Sequence, residues 1–158
     1  MKILFLDLDG VVNSHDFWRK RGVRAPNMDW WMHQFDTELI GLVNIIVEKT
    51  GAKVVISSTW RILSTLPELR YMLSFKGLTG DVIDVTPCGS TAPNNHVYRG
   101  SEIQAWLDSQ IEVIENFVIL DDDSDMLHLM PYLVKTSITT GITMAQVERA
   151  IEVLNVGI

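Results

Sequence analysis

Residues 2–8 (KILFLDL) are a short apolar run ending in acid, the pattern of a strand buried on both faces of a parallel sheet. Residues 10–35 keep no steady period and carry Gly, Pro and Asn, so they read as an irregular excursion. A helix capped by Asp36 or Thr37 is predicted through about residue 49. Leu39, Ile40, Val43, Ile46 and Val47 form its buried side and Gly51 its stop. Residues 53–57 (KVVIS) predict a second strand, rich in β-branched side chains that suit a pleated surface. A helix is expected over about 61–74, a short strand over 81–86 and a loop over 87–98. Ser101 and Gln104 have capping-box spacing ahead of a helix with Ile103, Trp106 and Leu107 on its apolar face. Residues 117–120 (FVIL) predict a strand that runs into Asp121-Asp122-Asp123. A short helix near 124–131 and a weaker strand over 133–137 follow. Thr143 and Gln146 open a last helix, with Val147, Ala150, Ile151 and Leu154 at helical spacing. Strands alternating with helices place the chain in the α/β class, as a three-layer Rossmann-like parallel sheet with helices on both faces. No repeat or linker divides it, so residues 1–158 read as a single domain with a short flap insertion at about 11–35.

Composition narrows the class. The 158 residues are 47% hydrophobic and 21% charged, which fits a globular chain with one sizeable core. No apolar run approaches the roughly 18 residues of a membrane span. Asp7 and Asp9 cut the opening stretch too short for a leader peptide. A lone cysteine, Cys88, allows neither an internal disulfide nor a cysteine-rich zinc site. A cytoplasmic protein with no membrane partner is expected. Twenty acids against thirteen Lys and Arg give a net charge of −7, unsuited to coating nucleic acid non-specifically. The charge is uneven, however: Arg19, Lys20, Arg21 and Arg24 cluster between Trp18 and the pair Trp30-Trp31. That stretch reads either as a solvated loop with partly buried tryptophans or as a basic, aromatic lip beside a site for a phosphorylated substrate.

The candidate chemistry lies at strand ends, where parallel α/β sheets gather functional residues. The first strand ends in Asp7-Leu8-Asp9-Gly10, the second in Ser57-Ser58-Thr59 and the third strong one in Asp121-Asp122. Parallel alignment brings these ends together, and four carboxylates in a small volume repel strongly. A divalent cation resolves the conflict, and oxygen-only ligands favour Mg²⁺ over zinc. In an extended chain residues i and i+2 point the same way, and Gly10 lets the backbone turn just beyond them. One carboxylate can then face a phosphorus while the other reaches the leaving oxygen, as nucleophilic catalysis with a partnered acid/base requires. Arg99, two residues before the expected cap Ser101, would lie near a helix N-terminus that already favours anions. Ser57, with Ser58 beside it, offers a hydroxyl to a phosphoryl oxygen.

These segments carry a resemblance. Phe5-Leu6-Asp7-Leu8-Asp9-Gly10-Val11-Val12-Asn13 resembles the first motif of the haloacid dehalogenase-like (HAD) hydrolases. Residues 54–61 (VVISSTWR) resemble the second motif, the run from Arg99 to Leu107 the third and residues 118–122 (VILDD) the fourth. The pairing of Ser-Ser-Thr-Trp-Arg with Arg-Gly-x-Glu-Ile-x-x-Trp-Leu is similar to the small HAD domains of Swiss-Army-knife RNA repair proteins. The resemblance implies a phosphomonoester hydrolase in which Asp7 attacks phosphorus and becomes an aspartyl-phosphate. It implies that Asp9 protonates the leaving oxygen and then deprotonates the incoming water. Ser57, Ser58 and Arg99 would hold the phosphoryl group. Asp7, the Asp9 backbone carbonyl and Asp122 would hold Mg²⁺, with Asp121 ligating through water or orienting a neighbour. Arg99 stands where many members of the superfamily have Lys, and the fourth motif lacks the common Gly-Asp spacing, which leaves the division of roles among Asp121, Asp122 and Asp125 open.

Residues 11–35 and 87–98 are each too short to fold as a cap domain, so the site should be open to a bulky substrate such as a nucleic-acid 3′-phosphate end or a nucleotide. Trp18, Arg19 and Lys20 fall beside the catalytic loop, and Arg61 just past Ser57, where cations bind flanking phosphates and an aromatic face stacks a base. Packing of the flap against the sheet explains them nearly as well. The alternative from another class is a non-enzymatic phospho-accepting module like a receiver domain, which also clusters aspartates around Mg²⁺. It needs no second acid two residues after the acceptor, so Asp9 discriminates between the two.

Overall fold

Five short runs of apolar, often β-branched residues pair as one all-parallel sheet, because strands buried on both faces need cover on both sides. The computed structural model describes residues 1–22, 33–89 and 97–157. In chain order these hold β1 (Lys2–Leu6), α1 (His15–Arg21), α2 (Thr37–Thr50), β2 (Lys53–Ile56), α3 (Trp60–Leu63) and α4 (Leu66–Phe75). Next come β3 (Val82–Val85), α5 (Arg99–Asp108), β4 (Asn116–Asp121), a 3-10 helix (Leu127–Tyr132), β5 (Leu133–Lys135) and α6 (Met144–Val156). The strand order is β3-β2-β1-β4-β5. The chain winds outward from β1 through β2 to β3, then returns to β4 on the other side of β1. That reversal opens a crevice at the carboxyl ends of β1 and β4.

Alternation along the strands makes two cores. Leu4, Leu6, Val54, Ile56, Val118 and Leu120 face one side, where α2, α4 and α6 pack. Ile3, Phe5, Val55 and Ile119 face the other, against Ile103 and Trp106 of α5 and Met126 and Leu129 beyond β4. The Phe5 and Trp106 rings meet edge to face at 5.4 Å, and the Trp106 indole donates to Asp84 Oδ2 at 2.7 Å. The three-layer α/β reading therefore holds.

Local signals account for several boundaries. Asp36 caps α2 by accepting from the Glu38 amide at 2.9 Å, and Gly51 ends it in the left-handed region. The capping box at Thr143 forms, with the Thr143 amide donating to Gln146 Oε1 at 2.9 Å. Others differ from expectation. The helix expected over 61–74 is two helices, because the Thr65 amide and hydroxyl both donate to the Glu68 carboxylate and start α4 afresh. Pro67 sits in that first turn, where its missing N–H costs nothing. The excursion after Gly10 contains α1, capped by Ser14 Oγ on the Phe17 amide at 3.1 Å. The segment near 124–131 is a 3-10 helix displaced toward Tyr132, with Leu127 at positive φ and Pro131 inside it.

Candidate active site

In-register pairing carries the strand directions past their ends. Asp7 donates its amide to Leu120 O, Ser57 to Leu6 O and Thr86 to Ile56 O, each at 2.9–3.0 Å. The first residues beyond β1, β2 and β3 are thereby level with Asp121, the last of β4. Asp7, Asp121 and Asp122 converge until one oxygen from each lies within 4.8 Å of the others. Asp7 and Asp121 are buried and Asp122 is half-buried. Gly10 makes this approach possible: its φ is +72°, and a Cβ there would stand 2.5 Å from Asp122 Cγ. Thr136 Oγ1 fixes the turn by donating to Gly10 O at 2.7 Å.

Burial drives the electrostatics. Asp7 is pushed up to about 6, chiefly by desolvation, while a hydrogen bond from Ser58 and the Arg99 charge pull it down. Asp121 rises to about 7, through burial first and the Asp7 charge second. Asp122 is also raised, again mainly by burial. Asp121 Oδ1 accepts from the Asp123 amide at 2.9 Å, yet among the described residues Oδ2 is buried without a hydrogen bond, with Arg99 Nε 3.7 Å away. Three clustered carboxylates and an unsatisfied buried oxygen fit a hard divalent cation with oxygen ligands. Beside them Ser57 Oγ is likewise fully buried and has no partner among the described residues.

Arg99 enters differently from the expected geometry. The Ser101–Gln104 box does not form. Arg99 itself is the first residue of α5, and Asp125 Oδ2 accepts from its amide at 2.9 Å, capping the helix from across the fold. Gly100 allows that contact, since a Cβ there would meet the Met126 carbonyl oxygen at 2.1 Å. The Arg99 guanidinium donates to Ser57 O and reaches toward Asp121 and Glu102.

Asp9 is exposed and is not one of the three clustered carboxylates, though its charge acts on Asp7 and Asp122; its Oδ1 accepts from Asn13 Nδ2 at 2.7 Å and its Oδ2 from Trp60 Nε1 at 3.0 Å. Arg61 is only 2% exposed in its side chain and donates to Ser57 O, Ser58 O and Thr86 O and to the Glu102 carboxylate. Its donors are engaged inside the chain, so it shapes the Ser57–Ser58 loop from beneath. The partners of Trp18, Arg19 and Lys20 do not include the acidic cluster. Arg19 pairs with Asp16 at 3.0 Å, Trp18 packs on Phe17 and under Arg21, and Lys20 is exposed. Arg24, Trp30 and Trp31 lie outside the described residues. Among the described residues no helix is long and apolar enough to cross a membrane.

Sequence reasoning gave no role to Asn13, Trp60 or Glu102, and it left the roles of Asp121, Asp122 and Asp125 undivided. Asn13, Trp60 and Glu102 stand inside the motif segments themselves: Trp60 directly follows Ser-Ser-Thr, and Glu102 shares the first turn of α5 with Arg99.

Over residues 3–147 the chain matches the family described as the HAD domain in Swiss Army Knife RNA repair proteins. No curated protein and no solved structure matches it. The matched stretch takes in the carboxyl ends of all five strands and hence the whole acidic cluster. HAD domains generally use a divalent metal, and membership points to a phosphatase-type hydrolase. The chain belongs to this HAD family.

Proposed function

We propose that the protein is a Mg²⁺-dependent phosphomonoester hydrolase working through an aspartyl-phosphate, and that its substrate is a nucleic-acid 3′-phosphate end or a nucleotide. The convergence of Asp7, Asp121 and Asp122 beside the unpartnered Ser57 hydroxyl and the Arg99 guanidinium carries this reading. Phosphoryl transfer is mostly in-line positioning and charge neutralisation, and this cluster supplies both.

An Asp7 carboxylate oxygen attacks phosphorus as the bond to the leaving oxygen breaks. Asp9 gives that oxygen its proton. In the second half Asp9 takes a proton from water, the water oxygen attacks phosphorus, and the bond to Asp7 breaks to release inorganic phosphate. Arg99 and Ser57 hold the non-bridging oxygens, and Ser58 orients Asp7 by donating to it. Asp7, Asp122 and the Asp9 backbone carbonyl, with Asp121 alongside, would hold Mg²⁺, which would supply neutralisation of phosphoryl charge. The name of the family supports a phosphorylated RNA end as substrate.

A panel of aryl phosphates and of 3′- and 5′-phosphorylated oligonucleotides tests this. Phosphate release should require Mg²⁺ and disappear in Asp7→Asn; full turnover by that variant would remove Asp7 as nucleophile. Joint Arg19→Ala and Lys20→Ala replacement should raise KM for an oligonucleotide but not for an aryl phosphate. Unchanged KM for both would remove the basic lip.

A further inference from the structure

Asp9 lies on the exposed side of the catalytic loop, where an unrestrained carboxylate would sample several rotamers. Here both oxygens are claimed, one by Asn13 and one by the Trp60 indole N–H. Asn13 belongs to the same loop, and its Oδ1 also accepts from the Gly10 amide at 3.1 Å, so it follows the loop wherever the loop goes. Trp60 comes from elsewhere. It is the first residue of α3, directly after the Ser57–Thr59 turn, and its ring packs edge-on against the fully buried Phe35 at 5.2 Å between centroids. Its amide lies 3.5 Å from Ser58 Oγ, and Ser58 in turn hydrogen-bonds Asp7. One residue therefore ties the Asp9 carboxylate to the turn that holds Asp7.

We propose that Trp60 is a positioning residue for proton delivery: its indole N–H fixes the Asp9 carboxylate in the orientation that reaches the leaving oxygen. The proposal rests on the reading of Asp9 as general acid. A sugar hydroxyl is a poor leaving group and needs its proton as the P–O bond breaks, so misaiming the acid should harm such esters selectively. A merely structural Trp60, pinning α3 to Phe35, would affect all esters alike.

The test compares kcat/KM for an alkyl phosphate and for 2,4-dinitrophenyl phosphate, whose leaving group needs no proton. This ratio reports events up to formation of the aspartyl-phosphate, so the water step does not enter it. Trp60→Phe keeps a ring against Phe35 and removes the N–H. Its kcat/KM should fall about ten- to hundredfold with the alkyl ester and less than about threefold with the activated one. Incorporating 3-benzothienylalanine at position 60, which keeps the ring's size without the N–H, should give the same split even if the Phe variant folds poorly. Equal losses on both esters, or no loss on either, would overturn the proposal. Asp9→Asn serves as the reference. If it splits the two esters and the position-60 variants do not, Trp60 alone is misassigned; if it too shows no split, the general-acid reading fails first.

Discussion

Asp7 and Asp121 are buried at close range, and desolvation raises both carboxyls, with the Asp7 charge adding to the rise at Asp121. Both carboxyls sit above their ordinary value of 3.8, at about 6 and about 7. Between about pH 4 and pH 7 the native chain thus holds more protons than the unfolded one. Without metal, the cluster's contribution to stability falls as pH rises through that window and levels off above it. Asp121→Asn removes one charge of the pair. The metal-free variant should exceed the parent in stability by on the order of 2 kcal/mol at pH 8, with the gap closing near pH 4. Urea unfolding in the presence of a chelator at the two pH values measures this. Equal stability at pH 8 would show that the two carboxylates do not strain the fold. Asp125, a further acid at this end of the sheet, is engaged as the cap of α5.

The same residue signal succeeded at one helix and failed at another, and the difference is tertiary. At Thr143 the Thr/Gln pair faces water and caps its own helix. At Ser101 a similar pattern is overridden because Asp125 reaches across from beyond the end of β4 and starts α5 three residues earlier, while Gln104 turns to Asp108 instead. The element so placed delivers Arg99 and Glu102 together. Glu102 is the half-buried partner of Arg61 and lies 3.6 Å from Arg99, so one carboxylate joins α3 to the start of α5. Glu102→Gln leaves the buried Arg61 guanidinium and the half-buried Arg99 short of a counter-charge and should cost about 3 kcal/mol, in the range for breaking a buried pair. It should also raise KM for an aryl phosphate as Arg99 loses its hold. A variant unchanged in both thermal midpoint and KM would show that the link between the two elements is incidental.

For the molecule as a whole, the readable part was what periodicity and register dictate. Apolar runs ending in polar residues specified a parallel sheet, and a parallel sheet puts Asp7, Ser57 and Asp121 at one edge whatever the loops do. Contacts between loops were not readable. The bond from Trp60 to Asp9 joins residues 51 positions apart, and the engagement of Arg61 by Thr86 O depends on how the end of β3 settles against β2. Both are set by packing, to which neither pattern nor spacing gives access. The proposed mechanism requires the Asp7 carboxylate to form a covalent bond to phosphorus. Quenching the enzyme during turnover of a phosphorylated substrate and reducing it with borohydride would convert an acyl-phosphate to the corresponding alcohol. Mass spectrometry of the digested chain should then find homoserine at position 7 only when substrate and Mg²⁺ are both present. Phosphate release at an undiminished rate with position 7 unmodified, or with the label at another aspartate, would contradict the account.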